Sequence, residues 1–356
     1  MLRRGLVYGF WISVASTLAL MIVGPALLHV IGLEKDLADG ASRALLIFAL
    51  SLPFYGLSVT ASFWLEGLSR PAPGAWAMWA ANVVNLGLVL LLTPGTFGLP
   101  AMGAVGAAWA TTGARAFLAA AMLIYIARMP EVRALGVFRK PERDRPAEIE
   151  QRRIGYGSGA SNFFEVAAFA GMNIFAGWLG GVAVAAYAIT LNVAAIVFMV
   201  PLGLATGAAV LVGKAYGARD LAGVNRAGLV SFGVTAVFGL LIALIVWPAA
   251  GLIARGYTTD AATIAIAAPA VLLCCLFFLP DALQVVAQSL RARGDVWLPT
   301  YAHLMSYIVI MTPLAWWLAI PMKLGVAGII WAIIVASFVS CGLLLARFWM
   351  LSRREL

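Results

Sequence analysis

Long apolar runs separated by short polar turns make up most of this chain. A helix that crosses the hydrocarbon core of a bilayer needs about 20 apolar residues. By that measure the pattern predicts ten membrane-spanning helices, over residues 6–31, 44–65, 75–93, 102–127, 154–179, 182–212, 227–248, 262–290, 297–320 and 324–350. Several runs are longer than the core is thick, so we expect tilted helices, or kinks at internal prolines such as Pro53 and Pro280.

One motif of this pattern occurs twice. The sequence G-x-x-G-x-x-W-A begins at Gly103 and again at Gly325, each time at the start of a long apolar run. Upstream of it, Pro25 and Pro248 occupy equivalent places to within one residue. A membrane domain duplicated in this way is typical of transporters.

Composition restricts the class of protein further. Hydrophobic residues make up 63% of the 356 residues and charged residues 11%, whereas soluble domains have about 45–50% and about 25%. We therefore predict an all-α integral membrane protein, with the lipid bilayer as its partner. The net charge of +9 does not indicate nucleic-acid binding, because the Lys and Arg lie between the apolar runs, where they set orientation.

Residues that carry ordinary enzyme chemistry are scarce in this sequence. It has two histidines and three cysteines, and all the cysteines fall inside apolar runs. Neither a metal-ligand spacing nor a glycine-rich phosphate loop is present in the sequence. We therefore expect neither an enzyme nor a bound cofactor.

The segment from Arg128 to Arg153 is the only long hydrophilic stretch of the sequence. It separates four predicted spans from six, which predicts a first lobe over residues 1–128, a cytoplasmic linker over 129–153 and a second lobe over 154–356. With the linker in the cytoplasm, most of the 24 Lys and Arg also lie on that side. The positive-inside rule then predicts an inner (plasma) membrane protein with both termini in the cytoplasm.

Two of the 15 acidic residues, Glu165 and Asp281, lie deep in apolar sequence. A carboxylate there costs at least about 2.5 kcal/mol, so it rarely persists without a partner or a function. Both lie near mid-bilayer by their distance from the charged helix ends, and together they could hold H⁺ or Na⁺. The polar residues that we expect to support them are Asn162, Asn192, Gln284 and Gln288. The alternative role of these amides is hydrogen bonding between helices.

Longer motifs resemble a known family. Asn162-Phe163-Phe164-Glu165-Val166 lies in one span, Phe198-Met199-Val200-Pro201-Leu202-Gly203 lies in the next, and Asp281-x-x-Gln284 precedes Leu290-Arg291. Their order and spacing resemble the multidrug and toxic compound extrusion (MATE) family, and its bacterial NorM-like branch in particular.

The resemblance implies both a fold and a function. MATE proteins have two six-helix lobes and export organic, mostly cationic compounds in exchange for protons or sodium. The positions that match the family's cation-coupling acids are Glu165 and Asp281. We therefore expect such an antiporter, monomeric if complete, whose only cofactor is its coupling ion. The alternatives are a lipid-linked oligosaccharide flippase of the same superfamily and an inactive or truncated membrane fragment.

The resemblance also implies helices that the predicted spans do not supply. The first lobe has four spans and the second has six, and the spans 154–179 and 182–212 have no first-lobe counterpart. We expect a pseudo-symmetric two-lobe bundle with an incomplete first lobe, which lacks the family's first two helices. A start codon assigned too late, or a true ten-helix protein, would each explain this pattern.

Overall fold

A computed structural model describes residues 2–30, 35–95, 100–132, 144–287 and 289–353 of the chain. Within these ranges the regular structure is entirely helical, as the apolar pattern predicts. The chain divides into two compact units, Met1–Arg143 and Asp144–Leu356. The predicted lobe boundaries at residues 128 and 154 stay a prediction, although residues 145–153 of the predicted linker form the start of a long helix.

The first unit contains five α-helices and a short 3₁₀ turn among its described residues. The helices are α1 (Leu2–Val30), α2 (Lys35–Ala49), α3 (Leu52–Gly67), α4 (Ala72–Leu92) and α5 (Gly103–Arg128), and the 3₁₀ turn is Pro130–Val132. The predicted span 44–65 is thus broken between α2 and α3. Pro53 explains the break, because it has no N–H to donate to the carbonyl of Ala49. The hydroxyl of Thr17 donates to that carbonyl instead, at 3.0 Å.

The second unit contains eight α-helices and a π-helical segment among its described residues. They are α6 (Arg145–Trp178), α7 (Gly181–Gly217), α8 (Leu221–Tyr257), α9 (Ala261–Val286), α10 (Ser289–Ala292), α11 (Trp297–His303), the π-helical segment (Leu304–Met311), α12 (Thr312–Ala319) and α13 (Gly325–Ser352). Its core joins α7, α9, α13 and the π-helical segment around fully buried side chains such as Tyr187 and Met311.

Nine helical segments of the described residues are long and apolar enough to cross a membrane. They are Leu2–Leu28, Ala38–Gly67, Ala72–Leu92, Gly103–Arg128, Gly181–Gly217, Leu221–Tyr257, Ala261–Ala292, Trp297–Ala319 and Gly325–Ser352. The other predicted span, 154–179, lies within α6, which begins with a charged stretch and contains Glu165. Large apolar side chains such as Trp76 and Leu252, each 75% exposed, belong against lipid rather than water. The chain is therefore a multi-pass membrane protein.

The duplicated motif has the same backbone structure in both units. Gly103 and Gly325 begin α5 and α13 with φ of +53° and +57°, a region that favours glycine. A Cβ on Gly106 would lie 2.7 Å from the carbonyl oxygen of Leu92, and a Cβ on Gly328 would lie 2.7 Å from the backbone of the preceding helix. Each motif therefore holds its helix against the end of the helix before it.

Candidate functional site

The polar interior of the second unit is built on α6, α9, α10, α11 and the π-helical segment. The side chain of Asp144 caps α6 by accepting a hydrogen bond from the N–H of Ala147 at 3.2 Å. One face of α6 then carries Ser161 and, one turn later, Glu165. Ser161 is fully buried, and 21% of the Glu165 side chain is exposed. These helices therefore bring a carboxylate into the interior of the unit, where few groups can solvate it.

Asp281 is held by an amide one turn along its own helix. It is 9% exposed, and Nε2 of Gln284 donates to its Oδ1 at 2.7 Å. The same Nε2 donates to the hydroxyl of Tyr307, which lies in the π-helical segment. Both donors of the Gln284 amide are thereby used, whereas its buried Oε1 has no partner among the described residues. This leaves an oxygen acceptor beside the carboxylate.

The neighbours of Glu165 include an imidazole, a hydroxyl and a guanidinium. Its Oε2 lies 3.9 Å from Nδ1 of His303, and this nitrogen lies 3.0 Å from the hydroxyl of Ser161. The guanidinium of Arg291 donates to the same hydroxyl at 2.8 Å. The rings of His303 and Tyr307 meet edge to face, with centroids 5.5 Å apart. His303 and Tyr307, one turn apart, thus face the two carboxylates.

The two carboxyl groups predicted to act together lie in the same unit, where the ring contact of His303 with Tyr307 connects the surroundings of Glu165 to those of Asp281. When both are ionised they repel each other, and a cation bound between them relieves the repulsion. Residues that can hold a proton or a hard cation through oxygen are therefore present, namely Glu165, Asp281 and the free Oε1 of Gln284. That the two carboxylates share one ion stays a prediction.

The other predicted site residues lie elsewhere. Asn162 is exposed on α6. Asn192 is also exposed, and its Oδ1 accepts a hydrogen bond from the hydroxyl of Tyr257 at 2.5 Å, so it joins α7 to the end of α8. Gln288 lies outside the described residues. Gln284 alone of the four amides contacts a carboxylate in the part of the chain that the structure describes.

Sequence reasoning missed the side chains of α10, α11 and the π-helical segment that surround Glu165 and Asp281. In the sequence, Arg291 directly follows the predicted span 262–290, and His303 is a single histidine within the apolar run 297–320. The available signal was the spacing of His303 and Tyr307, which places two polar rings on one helical face. That spacing is also compatible with structural packing.

The first unit has its own polar group inside a membrane-spanning helix. Arg115 of α5 donates to the hydroxyl of Ser51 at 2.6 Å, at the break between α2 and α3. Its guanidinium also lies over the rings of Phe48 and Tyr55, at 4.7 and 4.9 Å from their centroids. These contacts of the guanidinium with two aromatic faces and a hydroxyl stabilise the chain at the break between α2 and α3.

An all-α membrane bundle of repeated units with a polar interior defines a membrane transporter rather than an enzyme. Comparison with known sequences gives the family: the MatE family model matches residues 1–91 and 158–317. The chain belongs to the MATE (MatE) family.

Similar proteins agree with this assignment. A "Probable multidrug resistance protein NorM" of Caulobacter vibrioides is 60% identical over 355 residues, which are 99% of this chain and 75% of that protein. A protein of the same name from Bradyrhizobium diazoefficiens is 33% identical over 373 residues, covering 99% of this chain and 78% of that protein.

Solved structures share the fold. A eukaryotic MATE transporter superposes with a TM-score of 0.86 at 20% identity, over 96% of this chain and 76% of that chain. The outward-facing conformation of a multidrug resistance MATE family transporter gives a TM-score of 0.87 at 17% identity, over 98% of this chain and 77% of that chain.

Proposed function

We propose that this chain is a secondary active antiporter that exports organic, mostly cationic compounds in exchange for H⁺ or Na⁺. The observation that carries the proposal is the pair Glu165 and Asp281, two carboxylates inside one membrane-embedded unit whose surroundings are connected by His303, Tyr307 and Gln284. Acidic groups in such a position are costly, and they are typical of ion pathways and proton relays.

The chemistry of the pair supports coupling. Repulsion between two ionised carboxylates is relieved when one of them takes up a cation, so the packing of the unit depends on its occupancy. Asp281 shares its amide donor with Tyr307, and this links its charge to the π-helical segment. A cation that binds from one side and leaves to the other can therefore bias two conformations of the unit.

The substrate class is inferred from relatives, since the NorM proteins that are 60% and 33% identical to this chain are named as multidrug resistance proteins. The distribution of Lys and Arg supports an inner-membrane location with both termini in the cytoplasm. In this proposal the transporter acts as a monomer.

Accumulation of a fluorescent cation tests the proposal. Expression of the chain in a bacterial host that lacks its own drug exporters should lower the steady-state accumulation of ethidium. Addition of a protonophore and removal of sodium, applied separately, should show which gradient the export needs. Unchanged accumulation of ethidium and of other organic cations, with the protein present in the membrane, would contradict the proposal.

A further inference from the structure

Arg115 carries a charge in the middle of a membrane-spanning helix of the first unit, and the proposed function gives this charge no task. It lies about 18–20 Å from either end of α5 (Gly103–Arg128), counted along the helix axis. Its guanidinium is held against Ser51 at the break between α2 and α3, and over the rings of Phe48 and Tyr55. The side chain therefore does not extend to the membrane surface, as Arg side chains near helix ends do.

The positive charge of Arg115 has no carboxylate to balance it among the described residues of the first unit. The acidic residues described there lie at or near the ends of helices or in a turn, namely Asp36, Asp39, Glu66 and Glu131. Along the helix axis, Asp39 and Glu66 are roughly 18 and 22 Å from Ser51. Glu131 is already paired with Arg70. A hydroxyl and two aromatic faces stabilise a guanidinium but leave its charge in place.

The duplicated motif shows that the helix packing itself does not require a charge at this position. Because Gly103 and Gly325 begin equivalent helices, Arg115 of α5 corresponds to Ser337 of α13. Ser337 is neutral and fully buried. A charged residue inside a membrane is costly, and it is by default a sign of function. The packing that both units share therefore does not account for Arg115.

The guanidinium of Arg115 borders water rather than lipid. Arg115 is partly exposed, and Tyr55, over whose ring it lies, is 49% exposed. Lipid cannot solvate a guanidinium at this depth, so its exposed part opens to a water-filled space inside the membrane. In a transporter, such a space near the midplane is where the transported compound binds. The charge of Arg115 then acts on each compound that enters this space.

We propose that Arg115 limits the positive charge of the exported compound, so that the transporter selects organic monocations over dications. The inference rests on the proposed export of organic cations. Coulomb repulsion is proportional to the charge of the ligand, so a second positive charge on the compound increases the repulsion from the guanidinium. A repulsive group of this kind gives specificity without a new attractive contact to the preferred compound. Arg115 is thus a specificity-determining residue of the first unit.

Ethidium and propidium are a matched pair of probes for this inference. They share the phenanthridinium ring, and propidium carries a second, quaternary ammonium group. Fluorescence polarisation with the purified protein in detergent measures the dissociation constant of each. We expect the wild type to bind ethidium at least about tenfold more tightly than propidium. Equal binding of the two probes by the wild type would overturn the inference, and this comparison needs no variant.

Two pairs of variants separate the charge of Arg115 from its packing. R115Q removes the charge but keeps an amide that can donate to Ser51, whereas R115K keeps the charge. S51D places a carboxylate against the guanidinium and neutralises it, whereas S51N has nearly the same size and no charge. We expect R115Q and S51D to lower the ratio of the propidium to the ethidium dissociation constant by about tenfold, and R115K and S51N to keep the wild-type ratio. The larger size of propidium cancels, because each variant is compared with the wild type on both probes.

The control is R153Q, because Arg153 is 53% exposed in the charged first part of α6, where it pairs with Glu150. Its ratio of dissociation constants should equal that of the wild type. A wild-type ratio in R115Q and S51D would assign Arg115 to packing alone and overturn the inference. Where one pair of variants does not fold, the other pair decides.

Transport of ethidium separates this inference from the proposed function. A wild type that neither binds ethidium nor transports it in proteoliposomes would overturn the proposed export of organic cations and the inference with it. A wild type that transports ethidium but does not discriminate between the two probes would overturn the inference alone. Discrimination in the wild type that R115Q and S51D relax, with ethidium transport retained, supports both.

Discussion

Asp281 and Tyr307 are joined by a single amide, because Nε2 of Gln284 donates both to the carboxylate of Asp281 and to the hydroxyl of Tyr307. Tyr307 lies in the π-helical segment, whose wider turns displace side chains from their α-helical positions. The hydroxyl of Thr312, the first residue of α12, donates to the backbone carbonyl of Tyr307 at 3.0 Å. A change of charge at Asp281 therefore acts directly on the hydrogen bonding of the neighbouring helix.

Removal of this amide should destabilise the second unit. Gln284→Leu leaves a buried carboxylate and a buried hydroxyl without their donor, and we expect the free energy of unfolding to fall by about 1–3 kcal/mol. Denaturation of the purified protein in detergent measures it. Asn173→Leu is the control, since Asn173 is exposed and makes a long bond of 3.4 Å within its own helix. Equal stability of the two variants would contradict the bridging role of Gln284.

Two glycines of α13 should respond differently when a methyl group is added, because only one of them lies against a neighbouring backbone. A Cβ at Gly328 would lie 2.7 Å from the backbone of Leu318 and Ala319, whereas one at Gly342 would meet nothing within 4 Å. Gly328→Ala should therefore lower the free energy of unfolding by about 1–3 kcal/mol, while Gly342→Ala should leave it unchanged or raise it. A Gly328→Ala variant as stable as Gly342→Ala would show that α12 and α13 do not approach closely.

The hydrogen bond at the break between α2 and α3 should contribute to the stability of the first unit. Thr17→Val removes the donor to the buried carbonyl of Ala49, and we expect a loss of about 1–3 kcal/mol of unfolding free energy. The cost should shrink when Pro53→Ala restores an N–H that can reach the same carbonyl. A double-mutant cycle measured by thermal denaturation tests this coupling. Thr206→Val is the control, since Thr206 is exposed and bonds only within its own helix.

The ion pair between Arg70 and Glu131, outside the membrane spans, predicts a pH dependence. Arg70 donates to both carboxylate oxygens, at 2.8 and 3.3 Å, and this lowers the pKa of Glu131. A lowered pKa in the folded state stabilises the protein above the ordinary carboxyl value of about 4.3, and the contribution is lost as the pH falls through the lowered pKa.

Glu131→Gln should therefore have a slightly lower Tm than the wild type at neutral pH, and the difference should vanish in acid. Both side chains are 46% exposed, so we also expect high salt to suppress the difference. A difference in Tm that is independent of pH and salt would contradict the electrostatic origin.

The sequence predicts the helices well, because each helix depends mainly on the residues of its own segment. Apolar runs of sufficient length cross the membrane as helices. Pro53 interrupts helical hydrogen bonding whatever the tertiary structure around it, because it has no N–H. The cost of a carboxylate in lipid likewise singles out Glu165 and Asp281 without a structure. The start of α6 at Arg145 was not predicted, because charged residues can extend a helix beyond the membrane when Asp144 caps it.

Partners that come from distant helices could not be predicted. The contact of Glu165 with His303, and that of Ser161 with Arg291, depend on the packing of α6 against α10 and α11. The π-helical segment leaves no trace in the apolar pattern, although it determines where Tyr307 points. Asn192 was expected near the carboxylates, but its position along α7 brings it to Tyr257.

The central claim is that Glu165 and Asp281 couple export to a cation gradient. Transport of ethidium by Glu165→Gln and Asp281→Asn in proteoliposomes tests it most directly, because each substitution removes a titratable charge with little change in volume. We predict that each variant folds and binds ethidium but loses gradient-driven transport by at least about a hundredfold. Wild-type transport in both variants under the same gradient would contradict the account.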